Sequence, residues 1–316
     1  MITKIDLGDK WSGQNLGNQL FQIAALYGLA RKYFTQLAIP DDWKYLQYFS
    51  LLPDIIVKKV QPSVWLTEPH FQYVIEYFDE HANDLKNEIV NINGVLQTEK
   101  YWQDYIPQVR QLLGFSNKLR EKIYAEQKHL ITNKTVAISV RRGDFITNPN
   151  HYLLPFEYYK GAVEEYFPDY SIVVFSDDFK WCMKKFSKLP NKVHYSNKYG
   201  AIEQLCFMSM FSNFIIANST FSWWGAYLSS DTHKIVVRPF YVFDGALKQT
   251  NDIKDHYPED WKVYRHLEIK RNKIIKLIFY NDNNYRLKVF SKNLLLKAYN
   301  LLPFKDSLKK LIKGTK

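Results

Sequence analysis

The sequence predicts an α/β protein in two halves, each a parallel sheet with crossover helices, followed by a basic segment. The chain opens with a short strand, a glycine-containing loop and a helix apolar on nearly every side, the beginning of a Rossmann-like unit. Its second half alternates apolar runs of strand length with segments of helix length, which implies parallel pairing through βαβ crossovers. One of those runs, Thr135 to Val140, leads at once into Arg141, Arg142, Gly143 and Asp144. That places charge where an open α/β sheet has its ligand crevice.

Ile2 to Leu7 alternates as a strand would, and Gly8 to Gly17 is rich in turn formers. Asn18 to Lys32 forms the buried helix, its amino terminus facing the crevice. Residues 33–112 mix short strands with aromatic-rich helices and include the run from Gly94 to Trp102. Ser116 is placed to cap a helix reaching about Leu130, with Leu119, Ile123 and Leu130 on one face. Strands follow at 134–141, 170–176, 213–218 and 234–238, with helices near 156–166, 179–187, 201–211 and 222–229. The expected organisation is a Rossmann-like domain over 1–130, a second domain over 131–265 and an extension over 266–316. The two domains are expected to meet near 113–133 around a catalytic cleft.

The aromatic fraction, 16%, is high; most such rings are core, though Tyr and Trp also suit sugar clefts. Cys182 and Cys206 are the only cysteines and have no nearby partner for a metal or redox pair, which suits a reducing compartment. The amino terminus carries charges where a signal peptide needs an apolar run, and no stretch is long and apolar enough for a membrane span. A cytoplasmic location is therefore expected. Net charge is +11, but from His266 to Lys316 there are 13 Lys/Arg against three acids, so the rest is nearly neutral. That tail also spaces Leu294, Leu295, Leu296, Ala298, Leu301, Leu302, Leu308, Leu311 and Ile312 amphipathically. It can lie peripherally on an anionic membrane at the inner face, or pack back on the body with a solvated lysine face. No nucleic-acid-binding pattern accompanies the charge.

Three strand ends carry the chemistry. The first brings Arg141, Arg142, Gly143 and Asp144; guanidinium forks suit a diphosphate, and the alternative is a pair of surface salt bridges. The second brings Ser176, Asp177 and Asp178. One of those carboxylates can cap the next helix, and with no D-x-D triplet or clustered His or Glu a metal is not expected. The third brings Asn218, Ser219 and Thr220, with Ser222 and Trp223 opening a helix. Small hydroxyl residues there can donate to phosphate, although capping alone explains one of them.

Together these segments resemble glycosyltransferase family 11, the α-1,2-fucosyltransferases. The resemblance rests on the runs Leu16–Ala24, Gly94–Trp102, Ser139–Asp144, Phe175–Asp178 and Ile215–Ala226, in the family's order over residues 1 to about 265. It implies a GT-B-like fold of two Rossmann-like domains facing a cleft, a GDP-sugar donor, inversion at the anomeric carbon and no metal or other cofactor. Donor contacts are then expected from Arg141, Arg142, Gly143, Ser176, Asp177, Asp178, Glu203, Asn218, Ser219, Thr220, Ser222 and Trp223. Gly17, Asn18 and Gln19 form the acceptor-side loop. The chain differs from the family at Ser139, where a His is usual, at Gln204, where an Asp is usual beside Glu203, and in the loop from Gly13 to Leu16.

The expected reaction is direct displacement, with charge growing on the bridging oxygen opposite Arg141. Asp144 and His151 are the candidate bases. The implied product is an α-1,2-fucosylated glycan of a surface polysaccharide. The alternatives are a related transferase with another nucleotide-sugar donor, or a non-catalytic glycan- or nucleotide-binding protein.

Overall fold

The structure is a computed structural model that describes residues 1–7 and 15–266. The first half contains β1 (Ile2–Thr3), α1 (Leu16–Lys32), β2 (Leu37–Ile39), β3 (Ile56–Val57), β4 (Val64–Thr67), α2 (Ile75–Glu80), α3 (Ala82–Asn87) and β5 (Val90–Asn93). Its five strands are parallel, in the order β3-β2-β1-β5-β4. α1 is buried along most of its length, as its all-round apolar sequence requires. It begins at Leu16, two residues earlier than the sequence suggested.

Two helices, α4 (Ile106–Leu112) and α5 (Asn117–Gln127), lead to the second half. Ser116 does stand at the start of α5, but its side chain makes no capping bond and the helix stops at Gln127, short of the expected Leu130. The second half contains β6 (Thr135–Val140), α6 (Phe156–Tyr166), β7 (Ser171–Ser176), α7 (Phe179–Phe186), β8 (Val193–Tyr195), α8 (Ala201–Met208), β9 (Asn213–Ile215), α9 (Thr220–Tyr227), β10 (Ile235–Pro239), α10 (Leu247–Thr250) and β11 (Lys262–Tyr264). Its six strands are also parallel, ordered β11-β10-β9-β6-β7-β8. The protein is therefore α/β with two Rossmann-like parallel sheets, the GT-B-like class.

β6 is central and buried at every residue. Val136, Ile138 and Val140 enter one core with Tyr158, Val163 and Phe186. Ala137, pointing the other way, enters a larger core that also contains Leu20, Phe21, Trp102, Trp223 and Trp224. That larger core joins the two sheets. Phe21 of α1 lies 4.5 Å from the Trp223 ring of α9, and Trp102 donates to the Tyr227 hydroxyl at 2.8 Å. Both cysteines are buried with their thiols pushed up to about 12, so they act as small apolar residues.

Residues 143–149 form a short separate segment with one 3₁₀ turn, where Thr147 and Asn148 return their N–H groups to the Asp144 carbonyl. Among the described residues no helix is long and apolar enough to cross a membrane. The expected basic extension, apart from His266, and the loop residues 8–14 lie outside the described residues.

Candidate active site

Parallel pairing of β6 with β7 sets Val140 opposite Ser176, so the residues after each strand emerge side by side. Asp177 divides its carboxylate: Oδ2 lies 2.7 Å from Nη1 of Arg141, and Oδ1 accepts the Arg142 N–H at 2.8 Å. Asp178 does two jobs as well. One oxygen caps α7 by accepting the Trp181 N–H, and the other accepts Arg142 Nε at 3.1 Å. The Arg142 guanidinium then stacks 4.1 Å above the Trp181 ring. The side chain of Arg142 is only 4% exposed, against 28% for Arg141. Arg142 is thus a brace for the turn, and Arg141 is the guanidinium held at the rim. Ser176 supports the same turn by accepting the Asp178 N–H at 2.9 Å.

The amino ends of α1 and α9 meet beside each other. A methyl group at Gly17 would fall 2.5 Å from the Phe221 nitrogen, so only glycine permits this approach. Neither helix carries a side-chain cap or an acid in its first turn, so two positive helix ends are brought together. Asn18 ties them: its Oδ1 accepts from Thr220 Oγ1 at 2.8 Å and from Gln97 Nε2 at 3.1 Å. Ser219 stands at the first cap position of α9, half-buried.

From Gln97 the network runs into a small cavity lined by Phe71, Gln72, Gln97, Thr98, Asp252, Asp255 and His256. Asp255 holds Lys100 Nζ at 2.5 Å. His256 places Nδ1 2.9 Å from the Gln97 carbonyl, and burial lowers its pKa to about 4. Close by in the sequence fold, Glu68 at the end of β4 accepts the Val95 and Leu96 N–H groups at 2.9 Å each. Burial pushes Glu68 up to about 7 despite those bonds.

Several expected ligand residues are instead spent on the fold. Ser222 is fully buried and returns its hydroxyl to the Ala217 and Ser219 carbonyls. Trp223 is also fully buried, donating Nε1 to the His256 carbonyl, so its ring is core. Asn218 donates to the Tyr152 and Val242 carbonyls and pins the β9 end. Gln19 is buried and accepts from Trp43 Nε1. Glu203 pairs with Lys122 on α5 and accepts the Gly200 N–H at 3.0 Å, which together hold its carboxyl below the usual range. Gln204 bridges Ser196 and the Tyr199 carbonyl.

Of the two expected bases, Asp144 is exposed in the 143–149 segment. His151 forms an isolated bridge with Phe243, their rings 6.1 Å apart. His151 is not among the residues that line the cavity. The sequence reading missed Phe71, Asp255, His256 and the bracing role of Trp181. Gln97 lies within the Gly94–Trp102 run, but nothing local in the sequence marks its pairing with Asn18.

The family described as Glycosyl transferase family 11 matches residues 8–266. The chain is 31% identical to the O-antigen biosynthesis glycosyltransferase WbnK of Escherichia coli, over 74% of this chain and 94% of that protein. It is 26% identical to an alpha-1,2-colitosyltransferase of Escherichia coli, over 67% of this chain and 75% of that one. Among solved structures it is similar to POFUT1 in complex with GDP-fucose, at 12% identity and a TM-score of 0.47, covering 72% of this chain and 93% of that one.

Proposed function

This chain belongs to glycosyl transferase family 11 and is a glycosyltransferase, and from that premise we propose that it transfers L-fucose from GDP-fucose in α-1,2 linkage to a galactoside hydroxyl. The observation that carries this reading is Arg141, held by Asp177 at the carboxyl end of β6 and only partly covered. A guanidinium in that position can take the charge that grows on the diphosphate as the sugar departs, and losing one such donor costs about 10²–10³ in rate. The joined ends of α1 and α9 add positive potential for the same anion. Attack from the opposite face inverts the anomeric carbon.

No resident metal is invoked. Asp177 and Asp178, the carboxylates best placed to hold one, are both matched to arginines, and fixed cations stabilise the leaving group in its stead. The name of the colitosyl relative supports the α-1,2 linkage. It also keeps open a second reading, another nucleotide-sugar donor in the same site. Gln204 and Glu203 favour that reading, since Gln204 stands where the family usually has an Asp and both residues are engaged within the protein.

The test is a thermal-shift panel of GDP, UDP, ADP and dTDP with their sugars, followed by transfer from GDP-fucose to lactose. A ligand at 100 times its Kd adds about 2.7 kcal/mol. Stabilisation by GDP with fucosyl transfer supports the first reading; stabilisation by another nucleotide alone replaces it with the second. We also propose that the segment after His266 makes peripheral contact with anionic membrane from the cytoplasmic side, on the strength of its 13 Lys/Arg from His266 to Lys316. Co-sedimentation with phosphatidylserine vesicles, lost on truncation at His266, tests this.

A further inference from the structure

β4 ends at Thr67, paired with Asn93, the last residue of β5. Glu68 continues the pairing by donating its N–H to the Asn93 carbonyl at 2.8 Å. Its side chain then takes hold of the turn that follows β5. Oε2 accepts both the Val95 and the Leu96 N–H at 2.9 Å, and Oε1 accepts the Tyr101 hydroxyl at 3.3 Å. That turn is an unfavourable one. Leu96 has a φ of +50°, in the left-handed region that a leucine rarely enters. At Gly94 a methyl group would fall 2.6 Å from the Glu68 Cβ, so the approach needs glycine. Such a backbone persists only where its surroundings hold it, and two N–H groups converging on one carboxylate oxygen do so.

The residue this turn delivers is Gln97. Its Nε2 donates to Asn18 Oδ1 at 3.1 Å, and Thr220 Oγ1 donates to the same oxygen at 2.8 Å. The two donors are not equivalent. A hydroxyl can donate or accept, so Thr220 alone would tolerate either orientation of the Asn18 amide. The NH₂ of Gln97 only donates, and it fixes Oδ1 at the joint with Nδ2 turned away. Asn18 lies in the first turn of α1, where the ends of α1 and α9 meet. β4 is an edge strand, and a neutral residue would end it at less cost than a carboxylate whose ionisation burial penalises.

We propose that Glu68 is a positioning residue for the transfer reaction: by clamping the turn from Gly94 to Leu96 it holds Gln97 on Asn18, and so fixes the amide at the joined ends of α1 and α9. This rests on the transferase reading above, in which those helix ends face the diphosphate. Glu68 itself touches no reacting atom. It acts through Gln97.

A double-mutant cycle tests that route, with GDP-L-fucose and lactose as probes. Glu68→Ala should lower kcat about tenfold or more, the scale of a small misplacement passed to the site. Glu68→Gln, whose oxygen still accepts both N–H groups, should stay within about twofold of wild type. In a Gln97→Ala background, Glu68→Ala should change kcat by less than about twofold, because the link it serves is already gone. An equal loss in both backgrounds would make Glu68 a stabilising residue alone and overturn the proposal, as would an alanine variant with unchanged kcat. If Glu68→Ala does not fold, Glu68→Asp, one methylene shorter, takes its place in the same cycle with the same criteria. Should the wild type transfer no fucose, the function reading fails and the Asn18 side-chain amide signal in NMR decides this one. A signal displaced by Glu68→Asp but not by Glu68→Gln supports the coupling; one that neither variant moves overturns it.

Discussion

At the rim of the six-stranded sheet, Asp177 and Asp178 are each matched to a guanidinium, and Trp181 covers one of them. Across the shared core, Asn18 of α1, Gln97 after β5 and His256 before β11 are joined through amide, hydroxyl and carbonyl contacts, with Glu68 held by backbone N–H groups. The first arrangement sets guanidinium forks in fixed directions at the strand ends. The second fixes directions for neutral donors and acceptors and leaves its acid–base groups shifted by burial. A leaving diphosphate needs the former, and an incoming hydroxyl needs the latter.

The sharpest way to break this contrast is within the arginine pair. Arg142→Ala strips Asp178 of its partner and empties the space above Trp181. It should cost about 2–3 kcal/mol in urea unfolding, less than the ~3–5 of a fully buried pair because Asp178 is 27% exposed. Arg141→Ala should cost under about 1 kcal/mol in stability yet lower kcat about 10²–10³-fold. Arg141→Lys should also be poor, since an ammonium cannot fork two oxygens. Equal loss of stability in both alanine variants would erase the distinction between brace and ligand.

Next in size, Gly17→Ala pushes α1 off the start of α9 and should cost about 1–3 kcal/mol by overpacking. An unchanged melting temperature would mean that the two helix ends are not held together. Smaller again is a pH effect at Glu68. Its folded carboxyl titrates near 7 against an ordinary 4.5, so between these values the folded chain holds a proton that the unfolded chain has released. Glu68 therefore favours folding more as pH falls through that window, and this contribution is lost as pH rises. Glu68→Gln should flatten the wild-type slope by about 1–2 kcal/mol between pH 5 and 7.5; identical slopes would contradict it. The smallest effect belongs to Glu203→Gln. It loosens a half-exposed helix cap by under about 1 kcal/mol and should leave GDP affinity unchanged in calorimetry.

Legibility in the sequence differed between the same two regions. β6 and β7 are six-residue apolar runs bounded by charge, and α1 is apolar all round, so their type and limits could be read locally. The strands of the first sheet have two to four residues, and Ile2 pairs with Val90 and Leu37 far along the chain. So short a strand has no periodicity of its own; its partners define it. β8 and β11 were missed for the same reason.

At the strand ends, the positions of Arg141 and Asp177 were readable because a charged residue ending a buried strand has little choice of place. Ser222 and Trp223 were misassigned because a helix start does not reveal which side turns inward, and both point into the core. His256 had no signal at all: its meaning depends on a carbonyl more than 150 residues away.

The most direct measurement of the central claim is calorimetric titration of GDP and GMP into the wild-type chain and Arg141→Ala. If Arg141 holds the departing diphosphate, the wild type binds GDP more tightly than GMP and the substitution abolishes that difference while leaving GMP binding intact. An Arg141→Ala protein that retains the full preference for GDP would contradict the account.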